Sequence, residues 1–298
     1  MSDQQNHHYI SGKNIGITII LNIFITLAQL IGGVISGSMA LLTDALHNFS
    51  DVISLLLSWF TNRLAKRKST VKQTYGYKRA EILAAFVNSA TLILIAIYLM
   101  VEAVIRLMNP EPILSGIVIW FAGGSIVVNF LSVLLLSKDA KENINMKSAY
   151  LHLLTDVMTS VAVLIGGILM KYYEIYSIDS ILSILIAFYL IISSYKILWS
   201  SIKILMQFTP EEANLEKISL EITALDEIKN IHHVHIWQLN DNEFHFEAHI
   251  EFHKNISITT FQEHLKHIEE ILSKYNITHS NIQPEYELCE SNDLVVEH

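Results

Sequence analysis

The sequence predicts a membrane protein in two parts, an all-α bundle of six transmembrane helices followed by a small α+β domain. Of the 298 residues, 51% are hydrophobic and 16% are charged, a balance that favours a membrane protein over a soluble one. Six apolar runs, each long enough to cross a bilayer as a helix, lie before residue 210. After that residue the chain carries 18 Asp and Glu against five Lys and Arg, together with ten of the 14 histidines.

Each apolar run is predicted to form a helix, because a helix satisfies its own backbone hydrogen bonds where no water is present. The six runs cover residues 15–35, 40–59, 82–105, 113–136, 149–170 and 178–206. The chain is therefore divided into a polar tail (residues 1–14), a transmembrane domain (residues 15–208) and a soluble domain (residues 209–298). The tail has no apolar core, so no cleavable signal peptide is expected.

The loops between these runs differ in positive charge. The loop between the second and third runs holds seven Lys and Arg, and the loop between the fourth and fifth holds Lys138, Lys141 and Lys147. The loop between the first and second runs has none. Because loops rich in Lys and Arg stay on the cytoplasmic side, both termini and the soluble domain are predicted to be cytoplasmic.

The last part of the chain reads as a domain of order αββαβ. Its predicted elements are a helix at 211–225, strands at 234–239 and 244–252, a helix at 259–275 and a strand at 281–287. The second strand alternates strictly, with Phe244, Phe246 and Ile250 on one face. His245 and His253 fall on the other face, where they are expected to be solvated.

Two His–Asp pairs lie inside the apolar runs, His47 with Asp51 and His152 with Asp156. A spacing of four places each pair on one face of a helix, one turn apart. Ionisable side chains at membrane depth usually mark a pathway or a site. Two imidazoles and two carboxylates suit a tetrahedral divalent metal such as zinc. Asp44 lies on the same helix face as His47 and Asp51, where it either orients a ligand, lies in a pathway, or stands near a helix N-terminus at the membrane surface.

The two His–Asp pairs have four possible roles. The pairs could simply tie helices together by hydrogen bonds, but two copies of one spacing favour a bound cation. An intramembrane zinc enzyme would need an open coordination position and a general base, and four protein ligands leave no such position. A membrane metal sensor would signal through the C-terminal domain, which has no catalytic or nucleic-acid signature. A metal transporter is the favoured function.

Five stretches of the chain carry a resemblance to a known family. They are ALLTDALHNFSD (residues 40–51), YGYKRAE (75–81), SAYLHLLTD (148–156), HHVHIW (232–237) and HSNIQPE (279–285). In these stretches the chain resembles the cation diffusion facilitator family, in particular its bacterial zinc and cadmium exporters. The resemblance covers nearly the whole chain, and the paired H-x-x-x-D motifs are specific to the family.

The resemblance implies a homodimer in the inner (cytoplasmic) membrane, with six helices and a ferredoxin-like cytoplasmic domain in each protomer. It implies Zn²⁺ export driven by inward proton flow, with Cd²⁺, Co²⁺ and Ni²⁺ as possible cargo. It implies no enzyme activity, no prosthetic group and no nucleic-acid partner. His47, Asp51, His152 and Asp156 match the transport-site positions of the family one for one.

The resemblance also points to cytoplasmic metal ligands. His233 and His249 match positions that bind metal in relatives, and Glu285 stands where a relative has a metal-binding acid. His264 on the second helix of the domain is a further candidate. Gln283 departs from the family pattern, since a relative has His there. Zn²⁺ bound at these residues is expected to regulate transport.

Overall fold

The structure, a computed structural model, describes residues 12–137, 144–241, 243–287 and 293–295. The chain forms two compact units. One contains Met1–Trp59 and Val87–Leu198, and the other contains Phe60–Phe86 and Trp199–His298. The loop between the second and third helices therefore belongs to the same unit as the C-terminal domain.

Six long α-helices confirm the predicted bundle. They are α1 (Gly12–Ser36), α2 (Met39–Ala65), α3 (Ala80–Met108), α4 (Ser115–Leu136), α5 (Ile144–Tyr173) and α6 (Ser177–Leu205). The last four contain stretches long and apolar enough to cross a membrane, and the described apolar part of α1, Ile20–Ser36, is shorter. Helix α2 is less apolar because it carries Asp44, His47 and Asp51.

Helix packing in the first unit brings α4 against both α1 and α5. Its buried core contains Leu41, Val118, Val163, Met170 and Leu190. At the contact of α1 with α4, a Cβ on Gly32 would lie 2.4 Å from the ring of Phe121. Glycine is therefore needed at this position for the two helices to approach as closely as they do.

The start of α2 is held by a carboxylate from α6. The Ser38 hydroxyl accepts a hydrogen bond from Leu41 N–H (3.1 Å) and donates one to Asp179 Oδ1 (2.5 Å). The other carboxylate oxygen, Asp179 Oδ2, accepts from Met39 N–H at 2.6 Å. The N–H of Ala40 also points at this carboxylate, at 3.4 Å. Because the first N–H groups of a helix have no partner within the helix, this buried acid acts as its cap.

The C-terminal domain has the predicted order αββαβ. Its elements are α7 (Leu215–Thr223), β1 (Ile228–Asn240), β2 (Glu243–Phe252), α8 (Ile258–Ser273) and β3 (Ile277–Glu285). The sheet order is β1-β2-β3, with β1 antiparallel and β3 parallel to β2. The side chains of Asn214 and Ser257 cap α7 and α8. This arrangement confirms the predicted α+β class.

The apolar face of β2 forms the centre of the domain core, as predicted. Phe244, Phe246 and Ile250 are all at most 5% exposed. They pack in one cluster with buried residues of the two helices, among them Ile218 and Ile268. Burial of these side chains supplies the main stabilisation of the sheet–helix contact.

One prediction about the opposite face of β2 is wrong. His253 is exposed, but His245 is only 4% exposed. Its ring stacks on Trp237 at 5.2 Å and contacts Tyr75 and His279 at 5.5 and 4.8 Å between ring centroids. Burial lowers the pKa of His245 below its usual value, and its electrostatic interaction with His279 lowers it further. His245 is therefore a packed side chain rather than a solvated one.

Candidate metal sites

The two His–Asp pairs predicted from the sequence lie together. His47 and Asp51 are on α2, and His152 and Asp156 are on α5. Each of the four side chains offers one ligand atom, and these atoms all lie within 4.8 Å of one another. Two helical turns from different helices therefore form a single cluster of two imidazoles and two carboxylates, called here the transmembrane tetrad.

The distances in the transmembrane tetrad suit a shared cation. His152 Nε2 lies 3.1 Å from Asp51 Oδ2 and 3.9 Å from Asp156 Oδ2. His47 Nε2 lies 3.4 Å from Asp156 Oδ1, and its Nδ1 lies 3.7 Å from Asp51 Oδ2. The two imidazole rings are 5.6 Å apart and nearly perpendicular. Ligands around a zinc ion are separated by similar distances, since each stands about 2 Å from the metal.

The tetrad has a buried half and an open half. The side chains of His47 and Asp156 are 7% and 4% exposed, whereas those of Asp51 and His152 are 33% and 44% exposed. Both ring nitrogens of His47 and the Oδ1 of Asp156 are buried without a hydrogen-bond partner among the described residues. Buried polar atoms are normally satisfied, so these atoms need a ligand. A divalent cation bound by one nitrogen of His47 and by Asp156 Oδ1 would satisfy two of these atoms, since each side chain offers one ligand atom.

Asp44 lies on the same face of α2 and is 1% exposed. It accepts hydrogen bonds from Gln29 of α1 (2.8 Å) and from Thr159 and Ser160 of α5 (3.0 and 3.2 Å). Asp44 is outside the group of ligand atoms. Its burial and its partners favour the orienting role over a position at the membrane surface.

Several residues that form hydrogen bonds with Asp44 or with its partners were not predicted from the sequence. Asn48 donates to Gln29 Oε1 (3.0 Å), and Ser125 of α4 pairs with Ser160 (3.0 Å). Thr159 and Ser160 follow Asp156 by three and four positions. That spacing places them one turn along the helix from the predicted ligand, which is the signal that could have found them.

A second cluster lies on the sheet of the C-terminal domain. Glu285 Oε1 is 2.8 Å from His249 Nδ1, and its Oε2 is 3.2 Å from His232 Nε2. His232 and His249 are directly paired between β1 and β2. The three ligand atoms lie within 4.8 Å of one another, and this group is called the sheet triad.

The structure places two of the predicted cytoplasmic ligands in the sheet triad. The third triad residue is His232, the neighbour of the predicted His233. A register irregularity in β1 follows His232, and His233 has a φ of 54°. His233 stacks on His249 with 4.6 Å between ring centroids.

The other predicted ligand, His264, lies elsewhere in the domain. Its Nε2 is 3.6 Å from Glu227, and its ring is 5.6 Å from the ring of Phe252. The structure does not bring His264 into the sheet triad within this chain.

Comparisons with known proteins agree with this architecture. Residues 15–206 match the family model described as the cation efflux transmembrane domain, and residues 210–287 match the cation efflux protein, cytoplasmic domain. The chain is 35% identical to a cadmium, cobalt and zinc/H(+)-K(+) antiporter of Bacillus subtilis, covering 97% of this chain and 95% of that protein. It is also 35% identical to the zinc transporter ZitB of Pectobacterium atrosepticum, covering 96% and 90%.

A third relative is also a protein of metal cation efflux. The metal cation efflux system protein CzcD of Cupriavidus metallidurans is 30% identical over 98% of this chain and 93% of its own length. The two family models follow one another along the chain with little left unmatched, and these relatives are transport proteins rather than enzymes. The chain therefore belongs to the cation efflux family, and it is a multi-pass membrane protein of metal cation efflux.

Proposed function

We propose that the chain exports Zn²⁺ across the cytoplasmic membrane in exchange for protons, and that the transmembrane tetrad holds the ion during transport. The observation that carries this proposal is the set of buried, unsatisfied atoms on His47 and Asp156, facing the more open Asp51 and His152. The names of the relatives, a zinc transporter and a cadmium, cobalt and zinc/H(+)-K(+) antiporter, support zinc as cargo and protons as the counter-ion.

The proposed exchange follows from the protonation states of the ligands. Zinc binding requires neutral imidazoles and ionised carboxylates, so the tetrad must release protons when Zn²⁺ binds. Protonation of the same side chains on the other side of the membrane expels the ion. Asp51 and His152 receive the ion first because they are the exposed half. His47 and Asp156 complete the coordination, and the protein then opens to the opposite side.

The test is zinc flux in proteoliposomes that contain a zinc-sensitive dye and carry a pH step across the membrane. At zero membrane potential, one pH unit is expected to support about tenfold zinc accumulation for each proton exchanged, since one unit corresponds to about 1.4 kcal/mol. A protonophore that abolishes the pH step is expected to abolish the accumulation. Zinc flux that does not depend on the pH step would contradict the exchange of Zn²⁺ for protons, although the protein would still be a zinc transporter.

We also propose the arrangement of the chain in the membrane. The domains are the N-terminal tail (residues 1–14), the transmembrane domain (15–208) and the cytoplasmic domain (209–298). The six Lys and Arg of the loop between α2 and α3, with Arg63 in the last turn of α2, support a cytoplasmic location for both termini. The match to the family's cytoplasmic domain supports the same orientation. The working unit is a homodimer.

The sheet triad is proposed to bind a regulatory Zn²⁺ in the cytoplasmic domain. Two imidazoles and one carboxylate form a set of three protein ligands that leaves a fourth position for water or another group. His249 and Glu285 are predicted ligands, and His232 stands beside them in place of His233. The ligand roles of His233 and His264 stay predictions.

Glu285→Gln is expected to remove about one zinc ion per protomer, because an amide is a much weaker zinc ligand than a carboxylate. The measurement is zinc content after equilibrium dialysis of the full-length protein. His253→Gln, which changes an exposed histidine next to the end of β2, is the matched control. An unchanged zinc content of Glu285→Gln would rule out the sheet triad as a zinc site. Unchanged activation of flux by cytosolic zinc, despite the lost ion, would rule out its regulatory role.

A further inference from the structure

The loop between α2 and α3 contributes to a positively charged pocket that the transport mechanism does not use. The pocket has a volume of about 370 Å³. Its lining residues include Tyr75, Lys78, Arg79, Gln207, Trp237 and Leu239. Two are cationic and two are aromatic with polar tips, so the pocket combines positive charge with amphipathic rings.

The position of these residues in the chain places the pocket at the membrane surface. Arg79 directly precedes α3, which begins at Ala80, and Gln207 follows the end of α6 at Leu205. Both helices are long and apolar enough to cross the bilayer. Residues that adjoin the ends of spans lie at the depth of the lipid headgroups, where Tyr and Trp are enriched.

The charged groups of the pocket are not all satisfied by the protein. Lys78 Nζ forms an ion pair with Glu243 at 2.5 Å. The Nε of Arg79 is buried and has no hydrogen-bond partner among the described residues. A buried guanidinium nitrogen requires an acceptor, and the planar donor fork of Arg matches phosphate oxygens.

The first part of the same loop carries an independent signal. Lys66, Arg67, Lys68 and Lys72 are all exposed, and residues 60–79 contain no Asp or Glu. Thr70 and Gln73 close a tight turn by two backbone hydrogen bonds of 2.9 and 3.0 Å. That turn holds Val71 at 98% exposure beside Lys72. Basic clusters immediately next to a span attract anionic lipid, and an exposed apolar tip can enter the headgroup layer.

We propose that this pocket binds the phosphate of an anionic phospholipid, with Arg79 as the principal ligand. Lys78 adds positive charge, and Tyr75 and Trp237 flank the headgroup. The exposed cations of residues 66–72 hold the same membrane surface without a defined pocket. A soluble phosphate group has the same chemistry, but the membrane-surface position and the exposed Val71 favour the lipid.

Residues of the pocket also contact strand β2 of the cytoplasmic domain. Tyr75 contacts the ring of His245 on β2, and Trp237 stacks on the same ring. Lys78 pairs with Glu243 at the start of that strand. A headgroup that draws Arg79 and Lys78 towards it would change the contacts that join the loop to β2.

The experiment is native mass spectrometry of the full-length protein in neutral detergent, titrated with phosphatidylglycerol or phosphatidylcholine. Phosphatidylglycerol is expected to bind at least about tenfold more tightly. Arg79→Gln is expected to weaken its binding about fivefold, because one cation at an anionic surface is lost. Lys217→Gln removes an exposed cation from α7 and is the matched control, with less than a twofold effect expected.

Each alternative outcome bears on the proposal. Equal binding of the two lipids, or an Arg79→Gln variant that binds phosphatidylglycerol as tightly as wild type, would overturn it. Inorganic phosphate that binds as tightly and displaces the lipid would show a soluble-anion site instead. If Arg79→Gln does not fold, Lys78→Gln removes the other cation of the pocket and gives the second test, with about fivefold weaker binding of phosphatidylglycerol expected. None of these readouts depends on zinc transport.

Discussion

Asp156→Asn is expected to lower zinc flux by more than about 100-fold. Loss of even an outer partner of a metal ligand costs roughly 10–100-fold in affinity or activity, and Asp156 is proposed as a direct ligand. The side chain of Asp156 is 4% exposed, and its Oδ1 faces His47 Nε2 at 3.4 Å. Asn keeps the shape of the side chain but removes the charge that offsets the cation. The measurement is dye-reported zinc flux in proteoliposomes, with zinc binding measured by calorimetry on the same preparation.

Glu111→Gln is the matched control for this substitution. Glu111 is also a carboxylate of the transmembrane domain, but its side chain is 68% exposed and it lies outside the tetrad. Its flux is expected to stay within about twofold of wild type, as for most surface substitutions. An Asp156→Asn variant that kept more than about a tenth of wild-type flux would reject the tetrad as the transport site.

A double substitution tests whether His47 and Asp156 bind one shared ion or contribute to transport through independent contacts. His47→Ala is expected to lower flux about as much as Asp156→Asn does, and the double variant is expected to be no worse than either single variant. Residues that act as one unit show strongly non-additive effects. Losses that multiplied in the double variant would mean that the two side chains contribute separately, for example by tying α2 to α5.

The transmembrane tetrad could be predicted from the sequence because its information is local. Each His–Asp pair has the i, i+4 spacing that places both side chains on one face of a helix. The membrane adds a second constraint, since His47, Asp51, His152 and Asp156 are costly in apolar runs unless they face a partner. These two constraints were sufficient to predict that the two pairs lie together, although α2 and α5 are far apart in the chain.

The sheet triad contains a residue that the family resemblance did not point to. The resemblance pointed to His233, but β1 has an irregular register after His232, and His233 has a positive φ. An irregularity of this kind changes which neighbouring residue faces the partner strand. The burial of His245 had a different cause, because Tyr75 covers it from a loop far away in the sequence. A strand pattern contains no information about such a cover.

Asp179 is the clearest residue that the sequence analysis missed. It is 1% exposed, and its partner Ser38 is 141 positions away. An acid in the first turn of a span is ordinary by itself, since it suits the positive end of its own helix. Only the folded chain shows that this carboxylate caps α2 rather than serving α6 alone.

Asp179→Ala is expected to destabilise the transmembrane domain by about 3 kcal/mol or more. The substitution leaves Ser38 Oγ–H and the N–H groups of Met39 and Ala40 without their acceptor in a buried place. Each unsatisfied buried donor costs about 1–3 kcal/mol. At roughly 2–4 °C per kcal/mol, the melting temperature is expected to fall by about 6–12 °C. Circular dichroism of the purified protein in detergent gives the measurement.

Asp179→Asn distinguishes the contribution of the capping hydrogen bonds from that of the negative charge. The amide oxygen still accepts one of the three hydrogen bonds, so about a third of the lost stability is expected to return. Thr43→Val removes a single hydroxyl pair between α2 and α6, the 2.9 Å contact with Ser183, and is expected to cost about 1 kcal/mol. If Asp179→Ala melted at the wild-type temperature, the N–H groups of α2 would have another acceptor and the carboxylate would not be needed as a cap.

The cap also connects stability with transport, because α2 carries half of the tetrad. His47 and Asp51 lie on the helix that Asp179 holds, and the ring of Tyr189 on α6 is 6.3 Å from His47. A displaced α2 would misplace two of the four proposed ligands, and zinc affinity is expected to depend on all four. Asp179→Ala is therefore expected to weaken zinc binding about tenfold even below its melting temperature, whereas Thr43→Val is expected to leave it within about twofold. The measurement is the zinc affinity of the two variants by calorimetry. Equal zinc affinities of Asp179→Ala and Thr43→Val would show that Asp179 has a structural role alone.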